Sequence, residues 1–418
     1  MNQPQVVVVG AGAAGILAAW RAASLGARVL LLEKNDRIGM KILLSGGGRC
    51  NITHAGTVEE VLAGFPPAEA RFLRPALHRF PNSRIVQMLE DRGLEVCTRA
   101  DGRIFPLHGN ARDVVRILGR YLDEAGVSLR LGAAVTAIER DSEGVSCVRM
   151  HGRALPVRRV VLAVGGSSYP GTGTTGDGWR WAAALGHTVV KPRAALAPIF
   201  LEHPRPDWAG VALRGCVVKA RQEGREFARW RGDLLFTHRG VSGPAVLAVS
   251  RQVAERRPRG PVLLEADLFP DVDHAGLSAR IQDAARRHPR RTLRGLVEEL
   301  APDRVAVALL EAAGVESETR GAHLVQRARS RLAGALKGWQ LGMVQHVPLE
   351  KGEVVAGGIA LDEVDPHSLR SRVVPGLWVC GEVLDVAGQV GGYNLQAAFS
   401  TGFVAGESAA LGVLSASI

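Results

Sequence analysis

Three consecutive glycines followed by an arginine, a cysteine and an asparagine form the most unusual group of potentially reactive residues in the chain. They lie in the segment GMKILLSGGGRCNIT, which runs from Gly39 to Thr53. A thiolate at Cys50 would be a nucleophile, and it would need a cationic neighbour such as Arg49 or Lys41. Cysteine is also among the residue types most often buried. We expect Cys50 to pack beside a ligand rather than react, and Arg49 to pair with a pyrophosphate or a substrate carboxylate.

Four further side chains could contact a ligand or move a proton. His238, in FTHRGVSGP, could act as an acid or base, although an ordinary loop histidine explains it equally well. Tyr393 and Asn394 open an apolar helix, where Asn394 could bond a bound ring or cap the helix. Glu382 follows a strand-like run, and we predict that it is a cofactor ligand rather than a proton relay.

The first residues contain a dinucleotide-binding fingerprint. A β-branched run predicts a buried parallel strand, and a glycine motif, an apolar helix, a second strand and an acid follow it. The first strand is expected at 6–9, and the glycine motif is Gly10-x-Gly12-x-x-Gly15. The helix is expected at 16–25 and the second strand at 29–32, and the acid is Glu33. The first glycine permits a tight turn, the second lets backbone approach a pyrophosphate, and the third allows close helix–strand packing.

The phosphate and ribose contacts follow from the same pattern. A helix that begins at the motif points unpaired N–H groups at the phosphates. Glu33 can accept hydrogen bonds from ribose hydroxyls and disfavours a 2′-phosphate, so FAD or NAD fits better than NADP.

The C-terminal part favours FAD over NAD. A strand over 377–380 ends at Gly381-Glu382, and Gly391-Gly392 precede a helix over about 393–410. The positive N-terminus of such a helix would favour the negative charge that develops on a flavin when it is reduced. Gly388, Gly391 and Gly392 have little purpose in a helix that only packs.

Together these segments resemble the BaiN/YhiN-type, aminoacetone oxidase-like family of FAD-binding oxidoreductases. The matching segments are VVGAGAAG, LLEKNDRIGMKILLSGGGRCNIT, VVLAVGGSSYPGTGTTGDGW, FTHRGVSGPAVLAVSR, VAGGIALDEVDP and GLWVCGEVLDVAGQVGGYNLQAAFSTG. One departure is Ala397, where relatives commonly carry an aromatic residue, which puts one packing contact near the cofactor in doubt. The resemblance implies amine oxidation or reduction of a C=C bond conjugated to a carbonyl.

The fingerprint, the C-terminal pattern and the resemblance together predict the FAD contacts. In the nucleotide half they are Gly10, Gly12, Ala13, Ala14, Gly15, Glu33, Lys34, Lys41, Ser45, Gly46, Gly47, Arg49, Cys50 and Asn51. Further along they are Ala134, Val135, Ala163, Val164, Gly165, Gly381, Glu382, Gly391, Gly392, Tyr393, Asn394 and Leu395. Ala134 and Val135 would meet the adenine. Cys50, His238 and Tyr393 are the weak catalytic candidates.

We predict an α/β fold, with a Rossmann-like FAD-binding domain of the glutathione-reductase type and an inserted β-rich plus helical domain. The FAD-binding domain is expected at residues 1–191 and 341–418, and the insert at 192–340. Within the insert, short strands and turns occupy 192–270, and helix-forming residues dominate 271–340. According to the resemblance, the insert covers the flavin and shapes the substrate cavity.

Composition narrows the compartment and the partners. The five cysteines are widely spaced, without Cys-x-x-Cys or zinc-type spacing, so no metal site is expected and a reducing, cytoplasmic setting fits. No basic leader and no apolar run of membrane-spanning length is visible. The net charge is +11 with a pI near 10.1. Basic residues are spread along the chain without a recognisable binding motif, which disfavours a nucleic-acid partner.

Two functions fit the sequence. The first is an FAD-dependent oxidoreductase that exchanges hydride at flavin N5 with a small organic substrate, with NAD(P)H or another carrier as electron partner. The alternative is an RNA-associated flavoprotein such as a tRNA-modifying enzyme, which the high pI motivates.

Overall fold

The structure, a computed structural model, describes residues 3–414, which fall into two compact units. Unit 1 comprises Met1–Pro192 and Val354–Ile418, and unit 2 is Arg193–Glu353. The sequence predicts that the chain returns to the first unit at residue 341, whereas in the structure it returns at Val354. The reason is that Trp339–His346 is a strand of the unit 2 sheet, so its hydrogen bonds hold it there.

The strands of unit 1 supply one parallel sheet and several small ones. They are β1 Val6–Val9, β2 Val29–Leu32, β3 Thr53–His54, β4 Val96–Thr98, β5 Arg103–Pro106, β6 Ser128–Arg130, β7 Val135–Asp141, β8 Gly144–Met150, β9 Arg153–Pro156, β10 Val160–Leu162, β11 Val189–Ala195, β18 Val354–Ile359 and β19 Leu377–Val379. β11 carries the chain into unit 2, and β18 is the first strand after its return.

The helices of unit 1 surround these strands. They are α1 Ala13–Ser24, α2 Met40–Leu44, α3 Val58–Leu62, α4 Pro67–Arg79, α5 Asn82–Glu90, α6 Ala111–Glu124, α7 Asp177–Ala184 and α13 Tyr393–Leu414.

The five-stranded parallel sheet has the order β19-β10-β1-β2-β6. Its central strand pairs Val7 with Val160 on one side and with Leu30 on the other. β1 is buried along its whole length, as expected for a strand covered on both faces. The ligand side of such a sheet is the edge where its strands end, and the loops of interest leave β1, β10 and β19 there.

α1 and α13 pack backbone against backbone beside this sheet. A Cβ at Gly402 would overlap the carbonyl of Ala14, and one at Gly406 would overlap that of Ala18. Two glycines four residues apart on one helix face therefore allow the close approach, in the manner of small-xxx-small packing. This contact fixes the beginning of α13 relative to the phosphate-binding turn.

Unit 1 also has two three-stranded antiparallel sheets, with the orders β3-β5-β4 and β7-β8-β9, and a two-stranded sheet of β11 and β18. The first pairs Thr53 with Ile104 and Cys97 with Phe105. It therefore brings the chain that follows the glycine-rich loop next to residues some 50 positions later.

Unit 2 is a closed six-stranded barrel with helices packed on it. The strand order is β12-β15-β14-β13-β16-β17. The strands are β12 Ile199–Leu201, β13 Ala212–Gln222, β14 Arg225–Thr237, β15 Gly240–Ser242, β16 Leu263–Asp267 and β17 Trp339–His346. The helices are α8 Pro244–Arg256, α9 His274–Arg287, α10 Leu293–Val297, α11 Asp303–Ala313 and α12 Gln326–Lys337. Its apolar core draws on strands and helices of this unit alone, with Val218, Leu264 and Leu309 fully buried.

Candidate cofactor-binding site

The turn after β1 has the geometry that a pyrophosphate requires. Gly10 has φ 98°, a backbone conformation that favours glycine. A Cβ at Gly15 would overlap the carbonyl oxygen of Gly10, so α1 can begin this close to the strand only without a side chain there. Apart from Gly12 and its chain neighbours, no residue described by the structure has an atom within 4 Å of where a Gly12 Cβ would be, which leaves space for a ligand.

Glu33 is held in place at the end of β2. Its side chain is buried, and its Oε2 accepts a hydrogen bond from the Ala11 backbone N–H at 2.7 Å. Its Oε1 accepts from the backbone N–H and the side-chain amide of Asn35. The acid therefore connects the glycine turn to the second strand, at the place where a ribose is expected.

Lys34 is already engaged within the protein. Its Nζ donates to Thr175 Oγ1 at 2.8 Å and lies 2.9 Å from Asp177 Oδ2. Burial alone raises the pKa of Asp177, but hydrogen bonds from Thr175, Lys34 and Arg180 outweigh it and lower the pKa to about 2. Lys34 thus braces the loop after β10, and its predicted contact with FAD stays a prediction.

A compact polar cluster joins three distant parts of unit 1. Lys41 Nζ lies 2.6 Å from Glu382 Oε2 and donates to Ser168 Oγ at 2.6 Å. Glu382 Oε1 accepts the backbone N–H of Val355 at 3.0 Å. Lys41 lies in α2, Ser168 in the loop after β10 and Glu382 in the segment after β19, so the cluster fixes these two segments against α2.

The glycine-rich loop itself turns in the left-handed region. Gly46, Gly47 and Gly48 have φ of 58°, 66° and 83°, and Cys50 has φ 62°. The Cys50 side chain is fully buried, and this burial raises its pKa to about 11, opposed by a hydrogen bond with Ser45. The thiol is therefore protonated at neutral pH, which favours packing over nucleophilic chemistry.

The start of α13 is fixed onto β3. A Cβ at Gly392 would lie 2.5 Å from the Thr53 carbonyl, so the two backbones touch. The Asn51 amide, oriented to satisfy both partners, accepts the Gly392 N–H at 3.0 Å and donates to the Thr53 carbonyl at 3.2 Å. Asn394 exchanges hydrogen bonds with the backbone of Gly388, so it stabilises the preceding loop.

Tyr393 lies in an aromatic stack. Its ring is parallel to that of His54 at a centroid distance of 4.7 Å and meets Phe65 edge-on. A Cβ at Gly64 would lie 2.5 Å from the Tyr393 ring, so only glycine fits there. Burial raises the pKa of the Tyr393 hydroxyl. Within residues 3–414, no hydrogen bond engages that hydroxyl.

The remaining predicted residues occupy less informative positions. Ala134 and Val135 follow Ala133, whose N–H donates to the Glu33 carbonyl at 2.8 Å, so they lie beside the expected ribose position. His238 lies in unit 2, exposed in the turn between β14 and β15. No observation supports a catalytic role for it.

Sequence reasoning missed His54, Ser168 and the pair Gly402 and Gly406. His54 sits in a two-residue strand without a local motif, and it becomes noticeable only through its stack on Tyr393. The small-xxx-small spacing of the two glycines was a readable signal.

The four loops at residues 10–15, 45–50, 165–168 and 391–392 form what we call the cradle. Its properties fit FAD. Gly12 leaves open space, the backbone at the triple glycine carries no side chains, and Ser167 Oγ is a buried polar atom without a partner in residues 3–414. The acid, the glycine turn and the α13 N-terminus would hold the ribose, pyrophosphate and ring respectively.

Comparison with known proteins places the chain in a family. The HI0933-like protein Rossmann domain matches residues 4–408. The chain belongs to the HI0933-like family of FAD-binding proteins. It is 31% identical over 409 residues to the ribosomal RNA dihydrouridine synthase of Escherichia coli (strain K12), covering 97% of this chain and 98% of that one.

Two further relatives match over similar lengths. The 3-dehydro-bile acid delta(4,6)-reductase of Clostridium scindens is 31% identical over 411 residues, 97% of this chain and 99% of the relative. The ribosomal RNA dihydrouridine synthase of Haemophilus influenzae is 30% identical over 400 residues, 95% of this chain and 96% of the relative.

Solved structures confirm the predicted fold class. The 3-ketosteroid delta1-dehydrogenase from Sterolibacterium denitrificans has a TM-score of 0.55 at 17% identity, covering 99% of this chain and 100% of that one. The 3-ketosteroid-delta4-(5alpha)-dehydrogenase from Rhodococcus jostii RHA1 has a TM-score of 0.51 at 16% identity, covering 98% and 97%.

The predicted cofactor and enzyme class are likewise confirmed: this HI0933-like protein is an FAD-dependent oxidoreductase. No helix within residues 3–414 combines the length and apolar character needed to cross a bilayer. Over the same residues, no group of three or more His, Cys, Asp or Glu side chains is placed to hold a metal ion.

Proposed function

We propose that this protein reduces a C=C bond conjugated to a carbonyl group. Reduced FAD, regenerated by NAD(P)H or another electron donor, would supply the hydride through N5. The observation that carries the proposal is the half-buried Tyr393 hydroxyl at the start of α13, because the reduction also needs a proton at the carbon next to the carbonyl. The ordinary tyrosine pKa already keeps that proton on the hydroxyl at neutral pH, and burial raises the pKa of Tyr393 further. Two of the relatives are named for reductive chemistry, a dihydrouridine synthase and a bile acid reductase.

The test separates substrate reduction from cofactor loading. Holoenzyme is reduced anaerobically with dithionite, and its reoxidation by carbonyl-conjugated alkenes is followed by stopped-flow absorbance. Tyr393→Phe should keep FAD and slow reoxidation by about 10²-fold, within the range for loss of a general acid. Reoxidation of that variant at the wild-type rate, or failure of the wild type with every conjugated alkene tried, would contradict the proposal.

A second candidate substrate is a uracil ring in ribosomal RNA. Unit 2 carries 26 Lys and Arg against 19 Asp and Glu, a net +7 out of the chain's +11. It includes the run 286–291, RRHPRR, in which every residue is exposed. A clustered positive surface attracts the phosphate backbone, and two relatives are named as ribosomal RNA dihydrouridine synthases.

This candidate has its own measurement. Reduced holoenzyme is incubated with unmodified ribosomal RNA, and dihydrouridine is quantified in nucleoside digests by mass spectrometry. Product formation that weakens steeply with added salt is expected. Absence of dihydrouridine at low salt, with small conjugated alkenes still reduced, would remove RNA as substrate and leave the first proposal standing.

A further inference from the structure

Three arginines of unit 1 lie near one buried phenylalanine ring. The guanidinium carbons of Arg99, Arg49 and Arg103 lie 4.0, 5.8 and 5.9 Å from the centroid of the Phe105 ring. Such distances are within the range of cation–π attraction. Phe105 itself is 3% exposed, so it is a fixed platform for the three cations.

The arginines come from two segments that the small β3-β5-β4 sheet brings together. Arg99 and Arg103 flank the turn between β4 and β5, where the Arg99 N–H donates to the Arg103 carbonyl at 2.9 Å. Arg49 belongs to the glycine-rich loop. That loop touches the platform directly, because a Cβ at Gly46 would lie 2.9 Å from a Phe105 ring carbon. The cations therefore border the cradle.

The charge of this group is not balanced by the protein. Asp101 pairs with Arg103 at 2.6 Å, and the Arg103 guanidinium holds the pKa of that carboxyl below its usual range. Within residues 3–414, Arg49 and Arg99 have no carboxylate partner. Two guanidinium groups held near the same ring repel each other, and a bound anion would relieve that repulsion. Arg presents a planar fork of donors that matches a carboxylate or a phosphate.

The arginine group also adjoins the tyrosine that the proposed function uses. His54 Nε2 lies 3.1 Å from the Asp101 carbonyl oxygen, in the same turn, and the His54 ring stacks on Tyr393. The His54 ring therefore contacts both the turn between Arg99 and Arg103 and the candidate proton donor, Tyr393.

We propose that Arg49 and Arg99 form an oxyanion-binding subsite that recognises a phosphate or carboxylate group on the substrate. This inference rests on the proposed reduction in the same site. The anionic group docks at the arginines, and its charge-assisted hydrogen bonds fix how the reducible bond is presented to the cradle. The subsite sets specificity, and proton delivery remains with Tyr393.

The experiment measures binding, so it does not depend on turnover. Oxidised holoenzyme is titrated with paired probes that differ in one anionic group, and the flavin absorbance change gives the affinity. The phosphate pair is uridine 5′-monophosphate and uridine, and the carboxylate pair is fumarate and dimethyl fumarate. Competition by inorganic phosphate reports the subsite alone. The pair that shows the preference identifies the source of the oxyanion.

The wild type should bind the anionic member of one pair at least about tenfold more tightly, the effect of one charge-assisted hydrogen bond. Arg49→Gln and Arg99→Gln should each remove most of that preference. Arg256→Gln is the matched control, because Arg256 is an exposed arginine 5.4 Å from the Phe227 ring in unit 2. It should leave the preference unchanged.

Equal affinity for both members of both pairs would overturn the subsite. So would a preference that survives in the Arg49→Gln/Arg99→Gln double variant, provided that its FAD content shows a folded holoenzyme. If the variants lose the preference but the wild type reduces no conjugated alkene, the subsite is supported and the proposed function is contradicted. The two failures are therefore distinguishable.

Discussion

Cys50 illustrates how burial decides the chemistry of a single residue. Its position after three glycines and an arginine could hold an activated thiol, although the sequence favours packing. The side chain has no exposed surface, and its pKa is raised to about 11. The two cations that could activate the thiol have other contacts, since Lys41 pairs with Glu382 and Arg49 lies near Phe105. The residue therefore fills space beneath the loop.

Replacing Cys50 with alanine should leave the rate of flavin reoxidation within about twofold of wild type, because the thiol stays protonated and takes no part in catalysis. The loss of packing should cost roughly 1 kcal/mol in the free energy of unfolding. Stopped-flow kinetics and urea denaturation measure the two quantities. A rate loss of 10²-fold or more, as for a lost nucleophile or acid, would show that Cys50 reacts.

The burial of Cys50 also predicts how stability depends on pH and how fast its thiol is alkylated. The raised pKa means that the thiolate of Cys50 forms in the unfolded chain from about pH 9.0 and in the native protein only near 11. Stability from this group is therefore present below pH 9.0 and lost as pH rises through that window.

At pH 8, alkylation of native protein followed by peptide mass spectrometry should modify the half-buried Cys97 at least about tenfold faster than Cys50.

At the scale of elements, two glycines of the dinucleotide-binding fingerprint, Gly12 and Gly15, have different roles. Gly15 lets the helix approach the strand, since a Cβ there would overlap the Gly10 carbonyl. Gly12 faces open space and has φ −81°, which any residue adopts. One glycine is needed by the fold, and the other by the ligand.

Alanine at each position should separate these roles. Gly15→Ala should destabilise the protein by about 1–3 kcal/mol through overpacking, with or without FAD. Gly12→Ala should leave the unfolding midpoint of FAD-free protein nearly unchanged and weaken FAD binding by at least about tenfold. Thermal denaturation and FAD titration distinguish them. Equal stability losses in both FAD-free variants would contradict the assignment.

For the whole molecule, the division into two units has thermodynamic consequences. Unit 2 is one uninterrupted segment whose barrel closes through β17 and whose apolar core lies within the segment. All the residues assigned to the cradle lie in unit 1. A ligand that binds only the folded form of one unit stabilises that unit.

Calorimetry of the full chain should therefore resolve two transitions. Saturating FAD should raise the midpoint of one of them, by the equivalent of about 2.7 kcal/mol at a hundred times Kd, and leave the other within about 1 °C. A fragment of residues 193–353 should reproduce the FAD-insensitive transition. A single transition that FAD shifts as a whole would show that the units unfold together.

The sequence by itself determined the nucleotide-binding half of this protein. The strand, the glycine turn, the helix and the acid at Glu33 are local, because each depends on backbone conformations and periodicities that neighbouring residues dictate. The C-terminal glycines and the family resemblance extended this to FAD and to the oxidoreductase class.

Only the tertiary structure decided which side chains share the site. The Lys41–Glu382 pair joins positions 341 residues apart, and Arg49 and Arg99 both lie near the Phe105 ring, which strand pairing places beside Cys97. The buried state of Cys50 and the closure of the barrel by β17 depend on the same long-range packing. Burial and charge pairing are properties of neighbours in space, so a pattern that records only neighbours in sequence cannot supply them.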